Sequence, residues 1–341
     1  MQNQAKAIQA FLLTHIPKHP GHVVTMTMEK FGVSRTTVLT HLKKLIEANQ
    51  VIRTGTTKQT LYSLVGSARQ QFSFSLKKPL DEFTVFSETI APVLRKLVNP
   101  MALNILEYCI TEIVNNAKDH SKGSKVSISI VVQKKDICIA ISDDGVGVFQ
   151  NLQEAFHFDC LQEALFELTK GKLTSNPGAH SGEGLFFTAR ACDSFALTAN
   201  GLCYFRENTE NDWTFSKASK KIGSQIELTL ERKTTRVLKD LFIAYQDPEG
   251  DLSFAKTDVT IKLAHLYGER LISRSQAQRV ARNLEKFTHV ALDFSHVDAI
   301  GQGFVDQLFR VFQNQYPHIH IYYINANPDV EFMIKRTVRV K

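Results

Sequence analysis

Glu112-Ile-Val-Asn-Asn116-Ala-Lys-Asp119-His120 lies in the middle of the chain and gives the first indication of its fold. Apolar residues recur at three- to four-residue spacing through Ile105–Val114, which predicts an amphipathic helix. Glu112 and Asn116 are four residues apart, so they project from one face of that helix. Taken alone, the stretch is better explained as a solvated polar stripe on an amphipathic helix, and a functional role depends on the sequence that follows.

Two glycine-containing motifs follow in a fixed order. Asp143-Asp-Gly145-Val-Gly147 comes directly after two predicted strands, Val126–Val132 and Ile137–Ile141. Gly182-Glu-Gly184-Leu begins a predicted helix that runs through Cys192. A glycine loop that leads into a helix presents free backbone N–H groups to an anionic phosphate. Each motif alone is a common turn, but the order and spacing of all three indicate a nucleotide site.

The three motifs resemble the boxes of the GHKL ATPase family, over about residues 80–230. This family includes gyrase-type topoisomerases, heat-shock chaperones, histidine kinases and anti-sigma-factor kinases. The resemblance implies a Bergerat α/β sandwich that binds ATP with Mg²⁺. It also implies that Asn116 gives its amide oxygen to Mg²⁺, that Glu112 orients or deprotonates the attacking water, and that Asp143 accepts a hydrogen bond from the adenine amine.

The same resemblance assigns the glycines and the lid. Gly145 and Gly147 would let the backbone approach the base, and Gly182 and Gly184 would hold the phosphates. Residues 148–181 would form an ATP lid, with a predicted helix over Asn151–Lys170. Within the lid, the ammonium groups of Lys170 and Lys172 are candidate phosphate contacts, although solvation is the simpler expectation for both.

The chain departs from the commonest family pattern at Phe186, where a further glycine is usual. A bulky residue there predicts a less mobile phosphate loop, which puts fast turnover in doubt while leaving binding intact. Whether bound ATP is hydrolysed therefore stays open, and the chain is a candidate Mg-dependent ATPase.

The positive charge of the chain is concentrated at its N-terminus. Residues 1–70 hold nine Lys or Arg and two Glu, which accounts for the whole net charge of +7; the remaining residues hold 32 basic and 32 acidic side chains. A compact basic module on a neutral body predicts a polyanionic partner, most often nucleic acid.

The pattern of this module is three helices and a hairpin. Helices are predicted over Gln4–Thr14, Val24–Phe31 and Arg35–Ala48, with Ser34 as an N-cap, and a hairpin surrounds residues 55–58. The pattern resembles a winged helix-turn-helix domain, which places its third helix in the major groove of double-stranded DNA. The predicted base-edge readers are Arg35, Thr36, Thr37 and Thr40; the predicted phosphate contacts are Lys43, Lys44, Arg53 and Lys58. His41 is expected on the same polar face, and a module used only for protein contacts is the alternative.

The C-terminal third alternates between strands and helices. Strands are predicted over Val259–Leu263, Val290–Phe294 and Ile319–Ile324, and helices over Ser273–Phe287, Gln302–Gln313 and Pro328–Val338. The run from Val290 onwards resembles a STAS-like domain. In anti-anti-sigma factors such domains carry a phosphorylatable Ser or Thr after the isoleucine matched by Ile300. This chain has Gly301-Gln302-Gly303 there, so we expect a docking or packing surface rather than a phosphoacceptor.

These observations predict an α/β multidomain chain with three domains. They are a winged helix-turn-helix domain over 1–70, an ATP-binding domain over 71–232 and a small STAS-like α/β domain over 236–341. No run approaches 18 consecutive apolar residues, and Met1-Gln-Asn-Gln lacks a signal-peptide pattern, so no membrane association is expected. The five cysteines are scattered without metal spacing, which favours a reducing cytoplasm.

Two functions are consistent with these sequence features. The favoured one is a nucleotide-gated transcriptional regulator that binds double-stranded DNA, whose STAS-like domain transmits the nucleotide state or binds a protein partner, with a homodimer left open. The alternative is a partner-switching protein serine kinase or anti-sigma-factor-like ATPase, which a basic N-terminal module disfavours. A histidine kinase is disfavoured because the predicted helix Asp81–Leu97 contains no histidine.

Overall fold

The computed structural model describes residues 2–17, 19–48, 50–54, 60–64, 68–174, 181–210, 212–247, 253–261 and 271–338. The chain forms two compact units. The first unit comprises Met1–His157 with Phe187–Leu238, and the second comprises Phe158–Phe186 with Lys239–Lys341. The predicted ATP lid is therefore divided between the units, and most of it belongs with the C-terminal part of the chain.

The first unit begins with a small helical module. Its elements are α1 (Gln2–His15), α2 (Val23–Phe31), α3 (Arg35–Glu47) and the antiparallel strands β1 (Val51–Thr54) and β2 (Leu61–Leu64). Ser34 caps α3, because its side-chain oxygen accepts a hydrogen bond from the Thr37 backbone N–H at 3.2 Å. A shared apolar core that includes Leu12, Val38 and Leu42 joins the three helices. This element order agrees with a winged helix-turn-helix domain, an assignment that stays a prediction.

A seven-stranded antiparallel sheet forms the body of the first unit, in the order β3-β4-β5-β9-β6-β7-β8. Its strands are β3 (Ala68–Ser75), β4 (Lys125–Val132), β5 (Asp136–Asp143), β6 (Ser194–Ala199), β7 (Leu202–Glu207), β8 (Asp212–Lys217) and β9 (Ser224–Glu231). The helices are α4 (Glu82–Thr84), α5 (Ala91–Leu94), α6 (Pro100–His120) and α7 (Val148–Phe156), and a π-helical turn Val85–Ile90 joins α4 to α5. Helix α6 packs against β5 and β9.

The N-terminal module packs on the polar face of this sheet. Alternation along β9 puts Leu228 on one face and Glu227 on the other. The buried Glu227 carboxylate accepts a hydrogen bond from the Gly21 backbone N–H at 2.8 Å, and the Cys138 thiol donates to the Pro17 carbonyl at 2.8 Å. These bonds satisfy polar groups that would otherwise be buried without partners, and they attach the module to the ATPase sheet.

His22 makes further contacts between the N-terminal module and the sheet. Its Nδ1 lies 3.1 Å from the Cys203 sulfur, and its ring stacks on Phe205 with a centroid distance of 5.1 Å. Burial lowers the pKa of His22 to about 4, with a smaller contribution from the charge of Lys221. The imidazole is therefore neutral at physiological pH, which suits its position in an aromatic and thiol environment.

The second unit contains a three-stranded parallel sheet in the order β10-β11-β12. Its strands are β10 (Lys256–Thr260), β11 (His289–Asp293) and β12 (His320–Ile324). Its helices are α8 (Leu161–Lys170), α11 (Arg274–Ala281), α12 (Gln302–Asp306), α13 (Gln313–Gln315) and α14 (Pro328–Val338), while α9 (Gly184–Ala191) and α10 (Leu238–Ala244) have residues in both units. Helix α8 packs against β10 within this unit.

The prediction of one helix over Asn151–Lys170 is wrong. Helix α7 ends at Phe156 because His157 adopts a left-handed conformation with φ of 54°, and α8 begins only at Leu161. The Asp159 backbone N–H donates to the Glu163 carboxylate at 2.9 Å, which satisfies a donor at the start of α8. No glycine or proline marks this break in the sequence.

Every helix among the described residues is too short or too polar to cross a membrane.

Candidate functional site

Helix α6 carries the first pair of candidate residues. Asn99 caps the helix by accepting a hydrogen bond from the Ala102 backbone N–H at 2.9 Å. The apolar face of α6 is buried, and Glu112 and Asn116 lie half-buried one helical turn apart, as the sequence predicts. The described residues contain no cluster of three His, Cys, Asp or Glu side chains that could hold a metal ion by itself.

Asp143 ends strand β5 and is 7% exposed. Its Oδ1 accepts a hydrogen bond from the Gly145 backbone N–H at 2.8 Å, and its Oδ2 accepts one from the Ser224 backbone N–H at 3.3 Å. Burial raises the pKa of this carboxyl above its ordinary value, and the two backbone hydrogen bonds offset part of that rise. The arrangement presents a fixed, nearly dry carboxylate, which is the chemistry that recognises an exocyclic amine.

The glycines of the Asp143 loop (residues 143–147) are required by close packing within the protein. A Cβ at Gly145 would lie 1.9 Å from the Ser121 carbonyl oxygen. A Cβ at Gly147, where φ is 88°, would lie 2.4 Å from the Asn200 side-chain oxygen. The sequence prediction attributed both glycines to the close approach of a base. In the structure both are already required by neighbouring protein atoms, those of Ser121 and Asn200.

Three residues that the sequence analysis did not identify hold the Asp143 loop. The Val146 backbone N–H donates to the Ser121 carbonyl at 2.9 Å, and the Asn200 side chain donates to the Val146 carbonyl at 2.8 Å. The Ser224 hydroxyl oxygen accepts a hydrogen bond from the Val148 backbone N–H at 3.0 Å. These contacts come from α6, the β6–β7 turn and the start of β9, so they fix the loop from three directions.

The third motif lies at the start of α9. Gly182 has φ of 75°, and a Cβ there would lie 2.7 Å from the Leu173 backbone nitrogen; Gly184 is the first residue of the helix. Phe186, which replaces the usual further glycine, is buried and packs against the rings of Phe254 and Tyr245 at centroid distances of 4.7 and 5.0 Å. Phe186 therefore belongs to an aromatic cluster of the second unit.

The two lysines of the predicted lid have protein partners. Lys170 is fully buried, and its ammonium group donates to the Glu167 carboxylate at 2.6 Å and to the Arg282 carbonyl at 2.8 Å. The expectation of a solvated side chain is wrong for Lys170. The Lys172 ammonium group donates to the Lys286 carbonyl at 2.9 Å. A phosphate contact by Lys172 stays a prediction, and it would require this side chain to leave its partner.

The DNA-binding candidates lie on helix α3 and strand β1. Arg35, Thr36, Thr40, Lys43, Lys44 and Arg53 are exposed, Thr37 is half-buried, and Lys58 lies outside the described residues. The Thr40 hydroxyl donates to the Thr36 carbonyl at 2.9 Å, so this hydroxyl is already hydrogen-bonded within α3. His41 departs from the predicted polar face: it is 8% exposed, and its Nδ1 has no hydrogen-bond partner.

Comparison with protein families covers two parts of the chain. Residues 102–234 match the family of histidine kinase-, DNA gyrase B- and HSP90-like ATPases, and residues 276–331 match a STAS-like domain of unknown function. The first match contains α6 and the Asp143 loop together with α9, so it includes all three motifs. A comparison with curated proteins found no match. The chain thus contains a GHKL-type ATPase domain, which supports ATP binding, followed by a STAS-like domain.

Proposed function

We propose that this protein is a DNA-binding regulator whose state is set by Mg-ATP. The ATPase domain binds the nucleotide, the N-terminal module binds duplex DNA, and the STAS-like domain contacts a protein partner or transmits the nucleotide state. ATP would act by binding one conformation better than another, since a ligand shifts an equilibrium only through differential affinity.

At the nucleotide site the proposal assigns one role to each residue. Asp143 would accept a hydrogen bond from the adenine amine, and Asn116 would hold Mg²⁺ through its amide oxygen when Mg-ATP is bound. Glu112, one turn before Asn116 on α6, orients or deprotonates water if hydrolysis occurs. Gly182 and Gly184 present backbone N–H groups to phosphate at the start of α9.

The observation that carries the DNA-binding part is the orientation of the basic module. Pro17 and Gly21 of this module are hydrogen-bonded to the sheet, while the side chains of Arg35, Thr36, Thr40 and Lys44 on α3 are exposed. Within the described part of the chain, Arg35, Lys44 and Arg53 are exposed and form no ion pair, although the module carries a net charge of +7. Unpaired positive charge on an exposed helix supports a polyanion as the partner.

The partner-switching kinase remains the second candidate, because both matched families are compatible with it. The C-terminal domain of this chain would be a poor phosphoacceptor for such a kinase, since Gly301 offers no hydroxyl group. A Cβ at Gly301 would lie 2.7 Å from the Ile272 Cα, so the packing also excludes a serine at that position without a backbone shift.

The test is DNA binding by the full chain with and without Mg-ATP. Genomic fragments retained by the protein would be sequenced, and the binding of an enriched duplex would be followed by fluorescence anisotropy. If four to six phosphates are contacted, we expect a log–log salt slope of about −4 to −5. Arg35→Ala should reduce discrimination between sequences, whereas Lys44→Ala should weaken all sequences alike. Absence of binding even at low salt would leave the module as a protein-contact domain.

A further inference from the structure

The chain between the second and third nucleotide motifs folds with the C-terminal unit. The Asp143 loop ends at Gly147 in the first unit and the third motif begins at Gly182, yet residues 158–186 belong to the second unit. Residues 158–173, here called the connecting segment, contain helix α8. A nucleotide held by both motifs would therefore act on a stretch of chain whose packing partners come from the C-terminal third of the protein.

Lys170, the last residue of α8, caps helix α11. Its fully buried ammonium group donates to the carbonyls of Val280 and Arg282 at 3.0 and 2.8 Å, with a longer contact of 3.4 Å to the Arg279 carbonyl. The last turn of a helix leaves carbonyls without an intrahelical donor, and a nearby cation is favourable there. Displacement of α8 would leave these carbonyls without their donor, so α8 and α11 should move together.

Two buried carboxylates of α8 attach to the same end of α11. Glu163 and Glu167 are 4% and 2% exposed. Glu163 forms an ion pair with Arg282, and Glu167 accepts a hydrogen bond from the Asn283 side-chain amide at 2.8 Å. Buried carboxylates are stable only when they are paired or hydrogen-bonded, so breaking these contacts is costly. Both partners lie within residues 276–331, the stretch that matches a STAS-like domain, so α8 is bonded to that domain.

The third nucleotide motif packs on the same segment. A Cβ at Gly182 would lie 2.7 Å from the Leu173 backbone nitrogen, so Gly182 lies directly against the end of the connecting segment. One residue earlier, the Lys172 ammonium group donates to the Lys286 carbonyl at 2.9 Å, and the Lys286 ammonium group donates to the Lys172 carbonyl at 3.3 Å. A continuous set of contacts therefore runs from a proposed phosphate-binding glycine to the STAS-like domain.

We propose that the connecting segment makes the STAS-like domain the regulatory element of the nucleotide site: α8 and α11 move as one body, so Mg-ATP stabilises the end of α11, and a partner of the STAS-like domain changes Mg-ATP affinity. The inference rests on the proposed Mg-ATP binding and adds the element that responds to it. The effect must be reciprocal, because two coupled sites change each other's affinity by the same factor.

Hydrogen exchange on the full chain, with and without saturating Mg-ATP, measures this coupling. Amides of residues 276–286 exchange when the end of α11 opens, and an opening that also releases α8 disturbs the Gly182 motif. A ligand that binds only the unopened form suppresses such an opening. Mg-ATP should therefore slow exchange over α8 and over residues 276–286 together, by at least about 5-fold, the lower end of typical couplings.

A double variant tests the route of the coupling. Arg282→Ala with Asn283→Gly removes the side chains that bind the two carboxylates of α8, and glycine suits position 283, where φ is 63°. This variant should lose most of the Mg-ATP effect on residues 276–286. The matched control is Arg274→Ala, since Arg274 begins α11 and its guanidinium binds the carboxylate of Asp306 on α12 at 3.2 Å. Each variant removes one positive charge, and the control should keep the wild-type effect.

The outcomes separate this inference from the proposed nucleotide site. Wild-type protein that shows no Mg-ATP binding by calorimetry contradicts the nucleotide site and the inference with it. Binding that leaves exchange over residues 276–286 unchanged overturns the inference alone, as would faster exchange, which would mean that the nucleotide pulls α8 away from α11. A wild-type response in the Arg282 and Asn283 double variant would also overturn it. The wild-type comparison decides the proposal even if that variant fails to fold.

Discussion

Among the candidate site residues, Asp143 has the most specific role, because its carboxylate would distinguish adenine by its amine. Asp143→Asn replaces an acceptor with an amide that can turn a donor towards the adenine amine. We expect ATP affinity to fall by about 1.5–3 kcal/mol, roughly 10- to 150-fold, measured by isothermal titration calorimetry with Mg-ATP. Asp144→Asn is the matched control, since Asp144 is exposed and binds the Ser124 backbone N–H at 2.7 Å. Equal affinity in wild type and Asp143→Asn would remove the adenine assignment.

The Asp143 carboxyl should also make Mg-ATP binding depend on pH. Burial raises the pKa of Asp143, and only the deprotonated form accepts at both oxygens. Affinity for Mg-ATP should therefore be full above the raised pKa and decrease as the pH falls through it, at a higher pH than an ordinary aspartate would give. Calorimetry from about pH 7 to about pH 5 would follow this decrease. Because ATP itself takes up a proton in this range, Asp143→Asn supplies the reference, and parallel curves for the two proteins would contradict the prediction.

Local sequence predicts part of the site and misses the rest for a physical reason. Glu112 and Asn116 share a helix face, and Asp143 follows a strand, so short-range periodicity is enough to find them. Ser224 and Asn200 hold the same loop from strands and turns far along the chain; Ser224 is 81 residues from Asp143. Only the order of strands in the sheet brings these residues together, and no local pattern encodes that order.

Among the helices and strands, α8 gives the clearest expectation for stability, because its Lys170 is buried. The Lys170 ammonium group is bound by the Glu167 carboxylate and by the carbonyls of Val280 and Arg282 at 3.0 and 2.8 Å. Lys170→Met should destabilise the second unit by about 3–5 kcal/mol, because it leaves a buried carboxylate without its cation. Urea unfolding would measure the change. Lys172→Met is the matched control and should cost less, since Lys172 is half-buried and donates to the Lys286 carbonyl, whereas Lys170 is fully buried beside a carboxylate. Equal effects of the two variants would contradict the role of Lys170.

Helix α8 also shows where element prediction fails. A lysine at the end of an amphipathic helix is normally solvated, and a 20-residue periodic pattern normally means one helix. Here the helix is interrupted at His157, whose φ is positive. Lys170 is buried because residues 279–282, more than 100 positions later, lie around its ammonium group. The C-terminal elements were predicted in the correct order, but β10 is Lys256–Thr260 rather than Val259–Leu263, and part of the predicted strand lies outside the described residues.

At the scale of the whole molecule, the chain should not phosphorylate its own STAS-like domain. Phosphoryl transfer depends on a positioned nucleophile, and Gly301 has none. Ser295 is not a substitute, because its hydroxyl donates to the Asp293 carboxylate at 2.7 Å. Purified protein incubated with γ-labelled ATP should carry no stable label within residues 259–341, as judged by mass spectrometry of proteolytic peptides. Label on Ser295 or on another hydroxyl of this region would favour the kinase.

The last prediction concerns the coupling between nucleotide and DNA. Gly223 and Ser224, where the β8–β9 connection enters β9, pack against Asp143; a Cβ at Gly223 would lie 2.1 Å from the Asp143 carbonyl oxygen. A change in the Asp143 loop on adenine binding would therefore act on the start of β9, the strand whose Glu227 accepts a hydrogen bond from the Gly21 backbone N–H of the N-terminal module. If both ligands bias this segment, Mg-ATP must change DNA affinity by the same factor by which DNA changes Mg-ATP affinity. Both factors can be measured on the full chain, by anisotropy for DNA and by calorimetry for ATP. We expect them to agree and to lie within about 5- to 150-fold, a coupling of about 1–3 kcal/mol. ATP affinity that is identical with and without saturating DNA would show that the two sites are independent, even if each exists.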